Sequence, residues 1–130
     1  MSPRYNRVVT SFRALASDGD FDTLLAASHV EPVILFKHSE TCGVSLMVRD
    51  DLEGSAVPGA LHQLVVQRHR ALSARIASLL GVRHESPQVL VVARGAVTWH
   101  SSHHGVTAAR ITAAWRHAVD ALTTPTAAAR

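Results

Sequence analysis

The run Val33-Ile34-Leu35-Phe36 holds no polar residue, opens after Pro32 and closes on Lys37. A short unbroken apolar run of this kind predicts a β-strand covered on both faces, as in a parallel sheet. Elsewhere the apolar positions recur at helical spacing. Phe21, Leu24 and Leu25 share one face of a short helix over residues 20–28, with Asp20 as its expected cap. A helical pattern begins at Cys42 and ends near Gly54. Leu61 to Val66 reads as a second strand, and Arg68 to Leu80 as a helix with Leu72, Ile76, Leu79 and Leu80 inward and Gly81 at its C-terminal cap. Residues 88–93 and 96–100 flank Arg94-Gly95, the signature of a tight antiparallel hairpin. A last helix from about Thr107 to Leu122 turns Ile111, Trp115, Val119 and Leu122 to one side.

The resulting order is a helix followed by β-α-β-α-β-β-α, which is the order of the thioredoxin fold. It predicts an α/β domain with a central mixed four-stranded sheet and an extra N-terminal helix. The expected organisation is an N-terminal arm over residues 1–11, one domain over 12–122 and a flexible tail over 123–130. A chain of 130 residues with 47% hydrophobic content can bury one core without disulfides or a structural metal.

The formal charge of +3 comes from arginines spread along the chain, and only Arg68-His69-Arg70 forms a local cluster. With aromatics at 5%, this is not the concentrated basic and aromatic face of a nucleic-acid binder. No apolar stretch approaches membrane-spanning length. One cysteine cannot form an intramolecular disulfide, which fits a cytoplasmic, reducing location.

That cysteine, Cys42, stands where the first core strand gives way to a helix. Unpaired N–H groups and the positive end of a helix dipole favour a thiolate, the nucleophilic form of the side chain. Ser45 occupies the position at which a Cys-x-x-Cys motif carries its second thiol, so any redox chemistry here is that of one sulfur. Pro87, at the head of a central strand, is awkward there unless it marks a boundary or a cis bend. A cis Ser86–Pro87 bond would leave the Ser86 backbone free to pair with a bound peptide or thiol. Lys37 and His38, just before the helix, are candidates for stabilising the thiolate or holding an anionic thiol. Cys42 is thus the catalytic candidate, and Lys37, His38, Thr41, Ser45, Ser86, Pro87 and His103 are the candidate substrate-binding residues. His84, His100, His103 and His104 match no compact zinc spacing, and no metal site is expected. Asp50 and Asp51, adjacent on a helix, do not face each other and read as a solvated pair.

Three blocks carry a more specific signal: residues 33–42, ending in Phe36-Lys37-His38-Ser39-Glu40-Thr41-Cys42; His84-Glu85-Ser86-Pro87-Gln88; and Trp99-His100-Ser101-Ser102-His103. In this order they resemble the monothiol bacilliredoxin family. The resemblance, over roughly Phe12 to Trp115, implies a thioredoxin-like fold with Cys42 as the redox cysteine and Pro87 as the cis-proline. It implies a thiol-disulfide oxidoreductase with bacillithiol, or a similar low-molecular-weight thiol, as co-substrate. The implied partners are client proteins carrying mixed disulfides, with no tightly bound cofactor, nucleic acid or membrane. The segment Cys42-Gly43-Val44-Ser45 is also similar to the Cys-Gly-Phe-Ser signature of monothiol glutaredoxins, which hold a [2Fe–2S] cluster. The glycine pair those proteins place after their last strand is replaced here by Ser101-Ser102-His103-His104. A non-catalytic binding module with an inert Cys42 is the third reading.

Overall fold

A computed structural model describes residues 10–123. The elements in chain order are β1 (Ser11–Ala14), α1 (Asp18–Ala27), β2 (Val33–His38), α2 (Gly43–Glu53), β3 (Ala60–Val65), α3 (Arg70–Leu80), β4 (Gln88–Ala93), β5 (Ala96–Ser102), a 3₁₀ turn (His103–Gly105) and α4 (Ala108–Thr123). The arm and tail expected at the two ends lie almost wholly outside the described residues.

The sheet has five strands in the order β1-β3-β2-β4-β5, one more than the four expected. The added strand, β1, pairs parallel to the outer side of β3. It is four residues long and mostly exposed, so it carries no apolar run that a sequence pattern could register. β2 runs parallel to β3 and antiparallel to β4, and β4 and β5 form the hairpin. Arg94 and Gly95 both have positive φ (54° and 75°), the geometry a two-residue hairpin turn requires. One residue, Thr98, is extra in β5: Val91 faces Trp99 but Val92 faces Val97, a β-bulge.

β2 and β4 are buried along their whole length because helices cover both faces. On one side Val33 and Leu35 pack with Phe21 and Leu24 of α1 and Leu72 and Ile76 of α3. On the other, Ile34 and Phe36 pack with Val48 and Leu52 of α2 and Ile111 of α4.

Two helical details differ from expectation. The cap of α1 is Ser17, whose hydroxyl accepts from Asp20 N–H, while the Asp20 carboxylate accepts from Ala16 N–H (2.9 Å). This reciprocal arrangement moves the helix start ahead of Asp20. Leu79, expected inward, is 57% exposed because α3 buries the stripe through Leu72 and Ile76 instead. Among the described residues, no helix is long and apolar enough to cross a membrane.

Candidate active site

β2 ends at His38, and the chain turns through Ser39, Glu40 and Thr41 before Cys42 caps α2. Cys42 has an extended backbone (φ −100°, ψ 120°) and makes no side-chain capping bond. Its thiol is free and half-buried. It therefore stands where the first-turn N–H groups of α2 lack backbone partners.

The pleat of β2 sends Lys37 and His38 to opposite faces. His38 lies on the α2 side, its Nδ1 2.8 Å from Ser45 Oγ, and Ser39 N–H donates to the same hydroxyl at 2.9 Å. With one lone pair of Oγ taken by that N–H, the Ser45 proton is free to go to Nδ1 of a neutral imidazole. Burial, and then the cation of Arg49, hold the His38 pKa below the usual histidine range, against an opposing pull from Glu40. Ser45 is fully buried, so its hydroxyl ties the start of α2 to the end of β2.

Lys37 points the other way. It has no solvent exposure, and its ammonium donates to Ser73 O (3.1 Å) in α3 and to His84 Nδ1 (3.3 Å). Ser73 Oγ lies 3.1 Å from the same nitrogen. Burial lowers the Lys37 pKa to about 8. Burial and the Lys37 charge likewise lower that of His84, which suits an imidazole accepting at Nδ1. The structure thus does not bring Lys37 to the α2 face. It places the ammonium under the loop that leads to Pro87.

The Ser86–Pro87 peptide bond is cis and Pro87 is buried. Register brings this bend to the edge of the sheet at which β2 ends, since Lys37 pairs with Gln88 and Gln88 with Ser102. His103 N–H donates to Pro87 O (2.9 Å), and α2 packs against the His103–Gly105 turn. Ser102 donates to Glu85 Oε1 (2.6 Å), a bond that holds the Glu85 carboxyl below its usual range. Cys42, Thr41, Ser86, Pro87 and His103 therefore share one edge, with His38 and Ser45 buried behind the thiol. His103 is exposed, as are His100 and His104, while His84 belongs to the Lys37 cluster. Among the described residues, no three His, Cys, Asp or Glu side chains converge as metal ligands would.

Sequence reasoning missed Ser39, Gln67, Ser73 and Glu85. Gln67, just past the end of β3, donates through Nε2 to Ser39 Oγ (2.7 Å) and Thr41 Oγ1 (3.1 Å) and accepts at Oε1 from Glu40 N–H (3.1 Å). The one available signal was its place immediately after a predicted strand. Arg68 adds an exposed ion pair to Glu40 (2.9 Å).

The family described as monothiol bacilliredoxin BrxC matches residues 13–111, from β1 into the first turn of α4. A solved structure described as a proposed oxidoreductase with a thioredoxin fold is 28% identical, with a TM-score of 0.67 over 79% of this chain and 92% of the other. Thioredoxin from Trypanosoma brucei brucei (14% identity, TM-score 0.65, 92% of this chain and 97% of the other) has the same fold. So does oxidised thioredoxin O2 from Arabidopsis thaliana (17%, 0.61, 85% and 96%). With the thiol at the head of α2, the cis-proline edge beside it and a match over most of its length, the chain belongs to the monothiol bacilliredoxin family of thioredoxin-fold thiol-redox proteins.

Proposed function

We propose that Cys42 performs thiol–disulfide exchange on mixed disulfides between client-protein cysteines and a low-molecular-weight thiol, with bacillithiol as that thiol. The Cys42 thiolate attacks the small-thiol sulfur, and a Cys42–bacillithiol disulfide forms as the client–bacillithiol bond breaks. The client sulfur leaves as a thiolate and takes up a proton. A second bacillithiol, as its thiolate, then attacks the bacillithiol sulfur of that disulfide, so that the symmetric bacillithiol disulfide forms as the bond to Cys42 breaks and Cys42 leaves as the thiolate. The net reaction consumes one mixed disulfide and one free bacillithiol and yields the client thiol and one symmetric bacillithiol disulfide.

The observation that carries this reading is the pairing of one uncapped thiol at the head of α2 with a serine, turned inward, at the second-thiol position. Ser45 holds no sulfur and its hydroxyl is engaged with His38 and Ser39, so release depends on a thiol from solution. Thr41, Ser86, Pro87 and His103 at the same edge form the contact surface for the incoming disulfide, with His38 and Ser45 supporting the loop from behind. The reaction needs no resident cofactor and suits a cytoplasmic location.

The test is intact-mass analysis after mild oxidation with bacillithiol, with glutathione and with no thiol. The parent gains a reducible adduct with bacillithiol alone, and Cys42→Ser gains none. Exchange on a mixed-disulfide client falls by more than about a hundredfold in Cys42→Ser, because the nucleophile is gone. Full activity in that variant overturns the mechanism.

A further inference from the structure

We propose that Gln67, which belongs to no recognised motif, is a positioning residue for Cys42: its side-chain amide fixes the loop that presents the thiol. The proposal rests on the exchange reading above for its role in turnover, but the contact geometry stands independently.

Only Ser39, Glu40 and Thr41 separate the end of β2 from Cys42, and all three side chains are polar, with Ser39 buried and Glu40 and Thr41 exposed, so the loop offers no apolar side chain of its own to the core. Ordering such residues costs backbone freedom, which polar contacts must offset. Gln67 supplies three. A backbone N–H can only donate, so the amide atom facing Glu40 N–H is Oε1, which leaves Nε2 directed at the hydroxyls of Ser39 and Thr41. Both ends of one amide thus serve three consecutive residues. On its inner side the loop is tied to α2, since Ser39 N–H donates to Ser45 Oγ. A bridge therefore runs from the end of β3 through Gln67 and Ser39 to the first turn of α2, and Cys42 lies on the segment it spans. Gln67 touches no reacting atom in this arrangement. It acts by setting where the loop, and hence the sulfur, sits.

Two substitutions separate geometry from charge. Gln67→Ala removes all three contacts. Gln67→Glu keeps an acceptor for Glu40 N–H, and the Ser39 and Thr41 hydroxyls can turn to donate to its oxygens, but it places a negative charge beside the loop that carries the thiol.

The experiment follows the rate of Cys42 alkylation by iodoacetamide from about pH 5 to about pH 10, the exchange rate on a protein mixed disulfide, and thermal unfolding, for the parent and both variants. Gln67→Ala is expected to slow exchange by about tenfold, the scale of one or two net hydrogen bonds, and to slow alkylation at neutral pH. Gln67→Glu is expected to shift the alkylation profile to higher pH while recovering exchange to within about twofold of the parent above the new midpoint. A residue needed only for stability would not shift a pH profile and restore the rate above it. The proposal is overturned if both variants match the parent in alkylation and exchange, or if both lose rate equally in step with a fall in thermal stability. If the parent itself exchanges with no mixed disulfide, the functional reading fails. Gln67 is then decided by alkylation alone: a shifted Gln67→Glu profile with slowed Gln67→Ala supports it, and two unchanged profiles overturn it.

Discussion

Lys37 and His38 follow one another along β2, yet the first ends beneath α3 and the second beneath α2, and the two faces satisfy their buried polar groups in different ways. On the α2 face a neutral imidazole, a serine hydroxyl and a backbone N–H form a short network that reaches the Cys42 loop. On the α3 face a buried ammonium, with no carboxylate partner among the described residues, leans on a carbonyl and on His84, in the loop leading to Pro87. Gln88, beside Lys37, adds to this side by donating to Arg83 O (3.0 Å). Neighbours in a motif thus support opposite arms of one site: the α2 face secures the thiol, and the α3 face secures the proline bend. The difference is also energetic, because the first network holds neutral groups and the second holds a charge out of water.

That contrast can be pressed hardest through Lys37. Its pKa is lower in the folded chain than in the unfolded one, so between about pH 8 and 10.5 the unfolded state binds more protons and stability rises with pH. Urea unfolding across this window is expected to show the parent gaining up to about 3 kcal/mol relative to Lys37→Met, in which the titration is absent. Parallel curves for the two proteins would remove the buried-charge half of the comparison. Next comes Ser45→Ala, which leaves His38 Nδ1 and Ser39 N–H without a shared partner inside the protein. It is expected to cost about 1–3 kcal/mol in chemical denaturation, with slower exchange, and a neutral result would mean the network is not what secures the α2 start. The smallest effect belongs to Arg68→Ala. Its ion pair with Glu40 is exposed, and its loss should change stability by less than about 1 kcal/mol, a difference that vanishes in high salt.

The parts of this architecture written into local runs were legible. The unbroken apolar stretch of β2, the Arg94-Gly95 turn and the Gly81 cap each state their own conformation. β1 was not legible, because its pairing with β3 supplies what its four residues lack on their own. The expectation of Asp20 as the cap failed because Ser17 has the same capping chemistry three residues earlier, and only the folded geometry separates the residue that caps from the one that returns the bond. The place of Cys42 at the head of a helix and the cis bond at Pro87 could be read, because each follows from a residue type set at the end of a local pattern. The direction of Lys37 could not: in a strand buried on both faces, parity says that Lys37 joins Val33 and Leu35 but not which helices that face meets. Gln67 and Ser73 act through ordinary amide and carbonyl groups, and their importance arises only when β3 and α3 are laid beside β2.

The bulge at Thr98 has a consequence for how β5 can vary. Val97 and Trp99 are two positions apart and in a regular strand would share a side, yet Val97 packs with the α1 and α3 core and Trp99 with the α2 and α4 core. Everything downstream takes its orientation from that offset, including Ser102 at Glu85 and His103 at Pro87. Between Gly95 and His103 the hairpin can therefore shed one residue only at Thr98, where the loss merely removes the bulge and leaves Val92 opposite Val97 and Val91 opposite Trp99, whereas an insertion or a deletion elsewhere would put the proline-side wall out of register.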